Sequence, residues 1–152
     1  LDQEYSGMNS VAADIINWAT FAEARSVLGE AFVRVLGYFR EDGTKSVAAI
    51  EEAMRQKDAA ALVMPAHTLK GEALQFGADS LGDLAEEIEF AARHYVEIRQ
   101  GPEELLEKVV QLRPLFEATL VALETEISPL VERRAAFGSR TIGQVNYSRA
   151  RA

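Results

Sequence analysis

A chain of 152 residues, 48% hydrophobic and 26% charged, is long enough for one domain with a real core and too short for two, and its balance is globular rather than disordered. The absence of cysteine excludes a disulfide framework, a thiolate metal site and a thiol nucleophile. The net charge of −8 is uneven: residues 128–152 carry Arg133, Arg134, Arg140, Arg149 and Arg151 against Glu132, a net of +4 that leaves −12 on the rest. An acidic body argues against nucleic acid as the partner. Apolar runs fall short of the roughly 20 residues that span a bilayer, and no basic-then-apolar leader opens the sequence. The expectation is a cytoplasmic protein with no membrane partner.

In chain order, residues 1–16 read as a loosely ordered lead-in. Asn17 is placed to cap a first helix through Trp18, Phe21, Ala24, Val27 and Leu28; Trp18 reads as packing at one end of the fold. From Glu30 the apolar residues Phe32, Leu36, Phe39, Gly43, Val47, Ile50 and Met54 recur at spacings of three and four, which predicts either one long amphipathic helix weakened at Gly43 or two helices with a bend there. Asp58 can cap the next helix, with Pro65 inside it and a kink expected just before His67. Gly77 supplies a left-handed stop. Asp79 or Ser80 can cap the following helix, whose stripe is Leu81, Leu84, Ile88, Ala91, Tyr95 and Ile98, ended by Gly101-Pro102. Pro102 opens the last helix, with Leu105, Val109, Leu112, Phe116, Thr119, Leu123 and Ile127 on one face and a bend expected at Pro114. Ser128-Pro129 breaks the pattern. Residues 133–152 lose periodicity and read as a basic, disordered tail. With short links and no strand alternation, the fold class is all-α: an antiparallel up-and-down four-helix bundle over residues 17–132, with a short extra N-terminal helix and a flexible C-terminal tail.

The stretch that carries chemistry is Ala66-His67-Thr68-Leu69-Lys70-Gly71. Leu62, Ala66, Leu69, Ala73 and Phe76 form the buried stripe of its helix. That phase turns His67 outward, with Lys70 and Gly71 beside it three and four residues on. A neutral imidazole nitrogen is a nucleophile near neutral pH and can accept and pass on a phosphoryl group. His94 lacks any such context and reads as surface. From the residues alone, the carboxylate clusters Glu86-Glu87-Glu89 and Glu103-Glu104-Glu107 read as solvated helix faces. Two histidines and no cysteine make a transition-metal site a poor fit. Neither a phosphate-binding Gly-x-x-x-x-Gly-Lys-Ser/Thr loop nor a Gly-rich kinase loop occurs, so any phosphoryl group must come from another protein.

Ala-His-Thr-Leu-Lys-Gly, followed by Gly77-Ala78, Leu81, Leu84 and the Ile88-Glu89 pair, resembles the signature of the histidine-containing phosphotransfer (HPt) domains of bacterial two-component phosphorelays. With the Ala53 to Leu62 lead-in, the resemblance covers roughly residues 17–99. It implies that His67 is the phosphoacceptor, that Glu89, 22 residues further on, accepts the ring N–H from the following helix, that Lys70 offsets phosphoryl charge and that Gly71 leaves room for the partner. The surface around His67, namely Met64, Thr68, Glu72, Leu74 and Gln75, is then the docking face. Glu72 departs from the family, which usually has a small residue there; its phase suggests a solvent-facing carboxylate at the edge of the site. The expected partners are receiver domains of response regulators and a hybrid sensor histidine kinase. The chain is expected to be monomeric and to bind no cofactor, Mg²⁺ belonging to the receiver's acidic pocket. Two alternatives stand beside this reading: a helical adaptor that only docks or sequesters a receiver, and the dimerisation and phosphoacceptor piece of a sensor kinase. The second would build its bundle from two chains and continue into an ATP domain, which four helical patterns in one chain count against.

Overall fold

The computed structural model describes residues 15–127. The expectations for residues 1–14, for Ser128-Pro129 and for the tail over 133–152 lie outside them. Leu1–Ala122 forms one compact unit. Of a second unit, Leu123–Ala152, residues 123–127 are described and are helical.

The first unit is built from helices and two short 3₁₀ turns. Helix α1 spans Trp18–Leu28, and a 3₁₀ turn over Gly29–Ala31 leads into α2, Phe32–Arg55. Helix α3 spans Ala59–Gln75 and α4 spans Asp79–Glu97. A second 3₁₀ turn, Glu103–Leu105, precedes α5 over residues 106–122. Short links force consecutive helices to run antiparallel, and α2 to α5 make the four-helix bundle, with α1 as the extra N-terminal helix. No helix among the described residues is long and apolar enough to cross a membrane.

Local signals account for most boundaries. Asn17 and Asp58 cap α1 and α3, their side chains accepting the backbone N–H of Thr20 at 3.2 Å and of Ala61 at 3.1 Å. The long apolar stripe makes one helix, α2, continuous through Gly43. That glycine is needed for space: a Cβ there would stand 2.5 Å from Cε2 of Phe116 on α5. Gly77 ends α3 with φ +78°, and its carbonyl accepts the backbone N–H of Asn17 at 2.7 Å, which ties α1 to the α3–α4 corner. Helix α3 passes through Pro65, and α5 through Pro114, without a break in helical assignment.

Several boundaries differ from the sequence reading. Neither Asp79 nor Ser80 caps α4: Ala78 is its N-cap, and Asp79 opens the helix, where a carboxylate favours the dipole and accepts from the Asn17 side-chain amide at 3.3 Å. Helix α4 stops at Glu97, before Gly101-Pro102, because Arg99 turns left-handed at φ +55°. Ile98, placed on the apolar stripe, is exposed, and so is Val27 of α1, whose one buried residue is Phe21. The buried face of α4 is Leu81, Gly82, Ala85, Ile88, Glu89 and Ala92 rather than the stripe through Leu84, Ala91 and Tyr95.

The core holds Leu36, Val47, Ile50, Leu62, Leu69, Leu81, Ile88 and Leu112, all nearly solvent-free. Truncating such a leucine to alanine costs about 2–5 kcal/mol. At one end an aromatic chain links four helices: Phe21, Phe32, Phe76, Phe39 and Phe116 follow one another with centroid spacings of 5.3, 5.8, 5.5 and 5.8 Å, mostly edge to face. Trp18 joins it through Phe21 at 5.2 Å, as its expected role at the end of the fold requires.

Candidate functional site

With Leu62, Ala66, Leu69 and Ala73 fully buried, α3 is locked in rotation, and this fixes what its other faces present. His67 emerges on the side next to α4, its side chain 52% exposed. Its Nδ1 lies 3.1 Å from Oε1 and 3.2 Å from Oε2 of Glu89. A carboxylate can only accept, so Nδ1 carries the ring proton and Nε2 keeps its lone pair. The histidine is thereby held in one tautomer.

Glu89 is the centre of the cluster. Its side chain is 6% exposed, and it is bonded on Oε1 by Lys70 Nζ at 2.9 Å and on Oε2 by Arg93 Nε at 3.1 Å. Burial alone would push its carboxyl up; the hydrogen bonds from Lys70, His67 and Arg93 outweigh burial and hold it below the ordinary carboxylate range. Glu89 is therefore ionised at neutral pH. A buried charge is tolerated only when so compensated. The rotation of α4 that buries Glu89 follows from small residues: a Cβ on Gly82 would stand 2.6 Å from Leu74 Cδ2, so α3 and α4 approach closely along this seam.

The other positions singled out from sequence divide into two sets. Met64, Thr68, Gly71 and Gln75 are exposed on α3, Met64 to 63%. A side chain added at Gly71 would meet nothing within 4 Å, so the protein itself has no need of glycine there. Leu74 is exposed as well, to 38%, while its Cδ2 packs beside Gly82 on the helix seam. Glu72 does not face solvent at the edge of the site. It is half-buried, with Oε2 enclosed and without a hydrogen-bond partner among the described residues. Burial pushes its carboxyl up, and Asp42 of α2 adds to the shift. The helical step of 100° per residue turns it away from His67 towards α2.

Two residues were not picked out from sequence. Arg93 stands four residues after Glu89, an opposite-charge pair at helical spacing that could have flagged it. Phe90 is 72% exposed beside Glu89, an apolar residue out of phase with the buried face of α4.

A surface histidine on an all-helical bundle, its far ring nitrogen held by a buried anion, defines a class of helical histidine carriers. The family model of the Hpt domain matches residues 34–131, most of the chain, and the chain belongs to that family. Two solved structures share the fold. Histidine-containing phosphotransfer protein B (HptB) from Pseudomonas aeruginosa PAO1 is 22% identical with a TM-score of 0.66, over 76% of this chain and 96% of that one. The HPT domain from the Hpt sensor hybrid histidine kinase from Shewanella is 20% identical with a TM-score of 0.63, over 76% of this chain and 95% of that one. No curated protein matches.

Proposed function

We propose that this protein is a phosphorelay intermediate: His67 takes a phosphoryl group from the aspartate of one receiver domain and hands it to the aspartate of another. Family membership supports a histidine phosphotransfer role in general. The observation that carries the specific reading is the half-exposed His67 with Nδ1 held by the buried Glu89 carboxylate.

In the first step the Nε2 lone pair attacks phosphorus. The Nε2–P bond forms as the P–O bond to the donor aspartate breaks, and the bonding pair leaves on that carboxylate. The ring becomes an imidazolium whose Nδ1 proton stays on the bond to Glu89. In the second step an acceptor carboxylate oxygen attacks phosphorus, and neutral imidazole departs. Because Nδ1 keeps its proton, held by the Glu89 carboxylate throughout, no proton transfer is required in either direction. Mg²⁺ would sit in the receiver's own acidic pocket, where it neutralises charge on the phosphoryl oxygens. Gly71 gives the receiver room, and Met64 and Phe90 offer apolar contact on either side of the histidine. The hybrid kinase and receivers that carry these aspartates are the proposed partners.

A three-component assay tests this. A phosphorylated donor receiver, this protein and a second receiver are mixed, and arrival of label on the second receiver is timed. Transfer should depend on the wild-type protein and stop with His67→Ala. If both receivers bind and label never passes through the protein, the adaptor reading takes its place.

A further inference from the structure

We propose that Gly82 is a positioning residue for His67: its contact with Leu74 sets the spacing of α3 and α4 at which the Glu89 carboxylate reaches the imidazole. The inference deepens the phosphoacceptor reading of His67 and rests on it for its consequence in transfer. A Cβ built on Gly82 would stand 2.6 Å from Cδ2 and 2.8 Å from Cγ of Leu74, and 3.7 Å from the backbone carbonyl oxygen of Lys70. A methyl group has no place there unless a side chain or a helix moves. Leu74 is in the last turn of α3 and Gly82 in the first turn of α4, so the contact lies close to the corner that joins them.

The register of the two antiparallel helices ties this contact to the site. His67 stands seven residues before Leu74, and Glu89 seven residues after Gly82. Seven residues make close to two helical turns, so the Leu74–Gly82 and His67–Glu89 pairs share one seam, about 10 Å apart along it. A separation forced at Gly82 grows with distance from the corner and reaches Glu89 enlarged. Arg93 lies on α4 with Glu89 and moves with it; the bonds that cross the seam are those of His67 and Lys70. They have little slack. His67 Nδ1 is 3.1 and 3.2 Å from the carboxylate oxygens and Lys70 Nζ 2.9 Å from Oε1, and a contact stretched to about 3.6 Å is no longer a hydrogen bond. Once Glu89 draws back, the neutral ring divides between its two tautomers. The fraction with its proton on Nε2 has no lone pair there to attack phosphorus.

The test reads the ring directly, by long-range ¹H–¹⁵N spectra of the two histidines in the free protein, recorded well above the pH at which an imidazole titrates. The forms compared are wild type, Gly82→Ala, Gly82→Ala combined with Leu74→Ala, and Gly37→Ala, a glycine of α2 where an added Cβ meets nothing within 4 Å. Wild-type His67 should show the tautomer protonated on Nδ1. In Gly82→Ala its nitrogens should move towards the averaged positions of an unbonded ring, and removing the Leu74 side chain as well should move them back. Gly37→Ala should match wild type, and His94, the internal reference, should stay in place throughout. Uptake of label from a phosphorylated receiver should slow about tenfold in Gly82→Ala, within the hundredfold that a misplacement of roughly 1 Å can cost. His67 nitrogens that keep their wild-type positions in Gly82→Ala, or that the second substitution does not restore, overturn the assignment, whatever the melting temperature does. Should Gly82→Ala fail to fold, Leu74→Phe, which presses on the same contact from α3, decides by the same spectra. A wild type that takes no label would overturn the phosphoacceptor reading, while the spectra of the free protein still decide the role of Gly82.

Discussion

Glu72 and Glu89 show how differently two carboxylates of neighbouring helices are used. Glu89 meets three donors and is held ionised, so its contribution to stability is present above the unfolded value near 4.5 and is lost as pH falls through its lowered folded value. Glu72 is the reverse case. Its carboxyl is raised in the fold, so the native state holds the proton more tightly, and stability falls as pH rises from about 4.5 through the folded value. Glu72→Gln should therefore stabilise the protein at pH 7, by up to about 1 kcal/mol given that water screens part of the group. The gain should vanish at pH 4. Urea unfolding at the two pH values checks this, and an equal gain at both would refute the assignment of strain to the ionised form. Gly71 makes the complementary case on the exposed face. Gly71→Ala removes a helix-weakening residue without a clash, so the melting temperature should rise by the equivalent of up to about 1 kcal/mol. On the proposed relay reading, transfer to and from receivers should nonetheless slow, because the space at Gly71 is then taken by the receiver. Gly71→Val should slow it further, and a variant that transfers at the wild-type rate would remove the role given to Gly71.

At the scale of the helices, the apolar spacings in the sequence were sufficient for α2, α3 and α5, whose large side chains repeat every three or four residues and are buried as expected. They misled on α4. There the residues facing α3 are small, Gly82, Ala85 and Ala92, and they lend little weight to a hydrophobic pattern; the larger Leu84, Tyr95 and Ile98 drew the stripe one step round the helix. Glu89 was legible as a site residue only through the family resemblance, because its burial depends on that close α3–α4 seam. Arg99 ended α4 early by taking a left-handed conformation that side-chain chemistry does not announce. Gly43 looked like a weak point in α2 and is a packing site. Gly43→Ala drives a methyl into the Phe116 ring and should destabilise the bundle by about 1–3 kcal/mol, read from the midpoint of chemical unfolding. A neutral result would mean that the ring moves aside freely.

Over the whole molecule, the bundle works as a rigid mount. The body of the chain is acidic, yet at His67 it gathers Lys70 and Arg93 around one buried carboxylate. Helices α3 and α4 position that cluster within the bundle. The measurement that bears most directly on this account is incubation with a radiolabelled phosphorylated receiver, wild type against His67→Ala, followed by acid and alkali treatment of the protein. The account predicts label on the wild type alone, lost in acid and stable in alkali, as a phosphohistidine is. Label of the same kind on His67→Ala, or none on the wild type from a receiver that binds it, would contradict it.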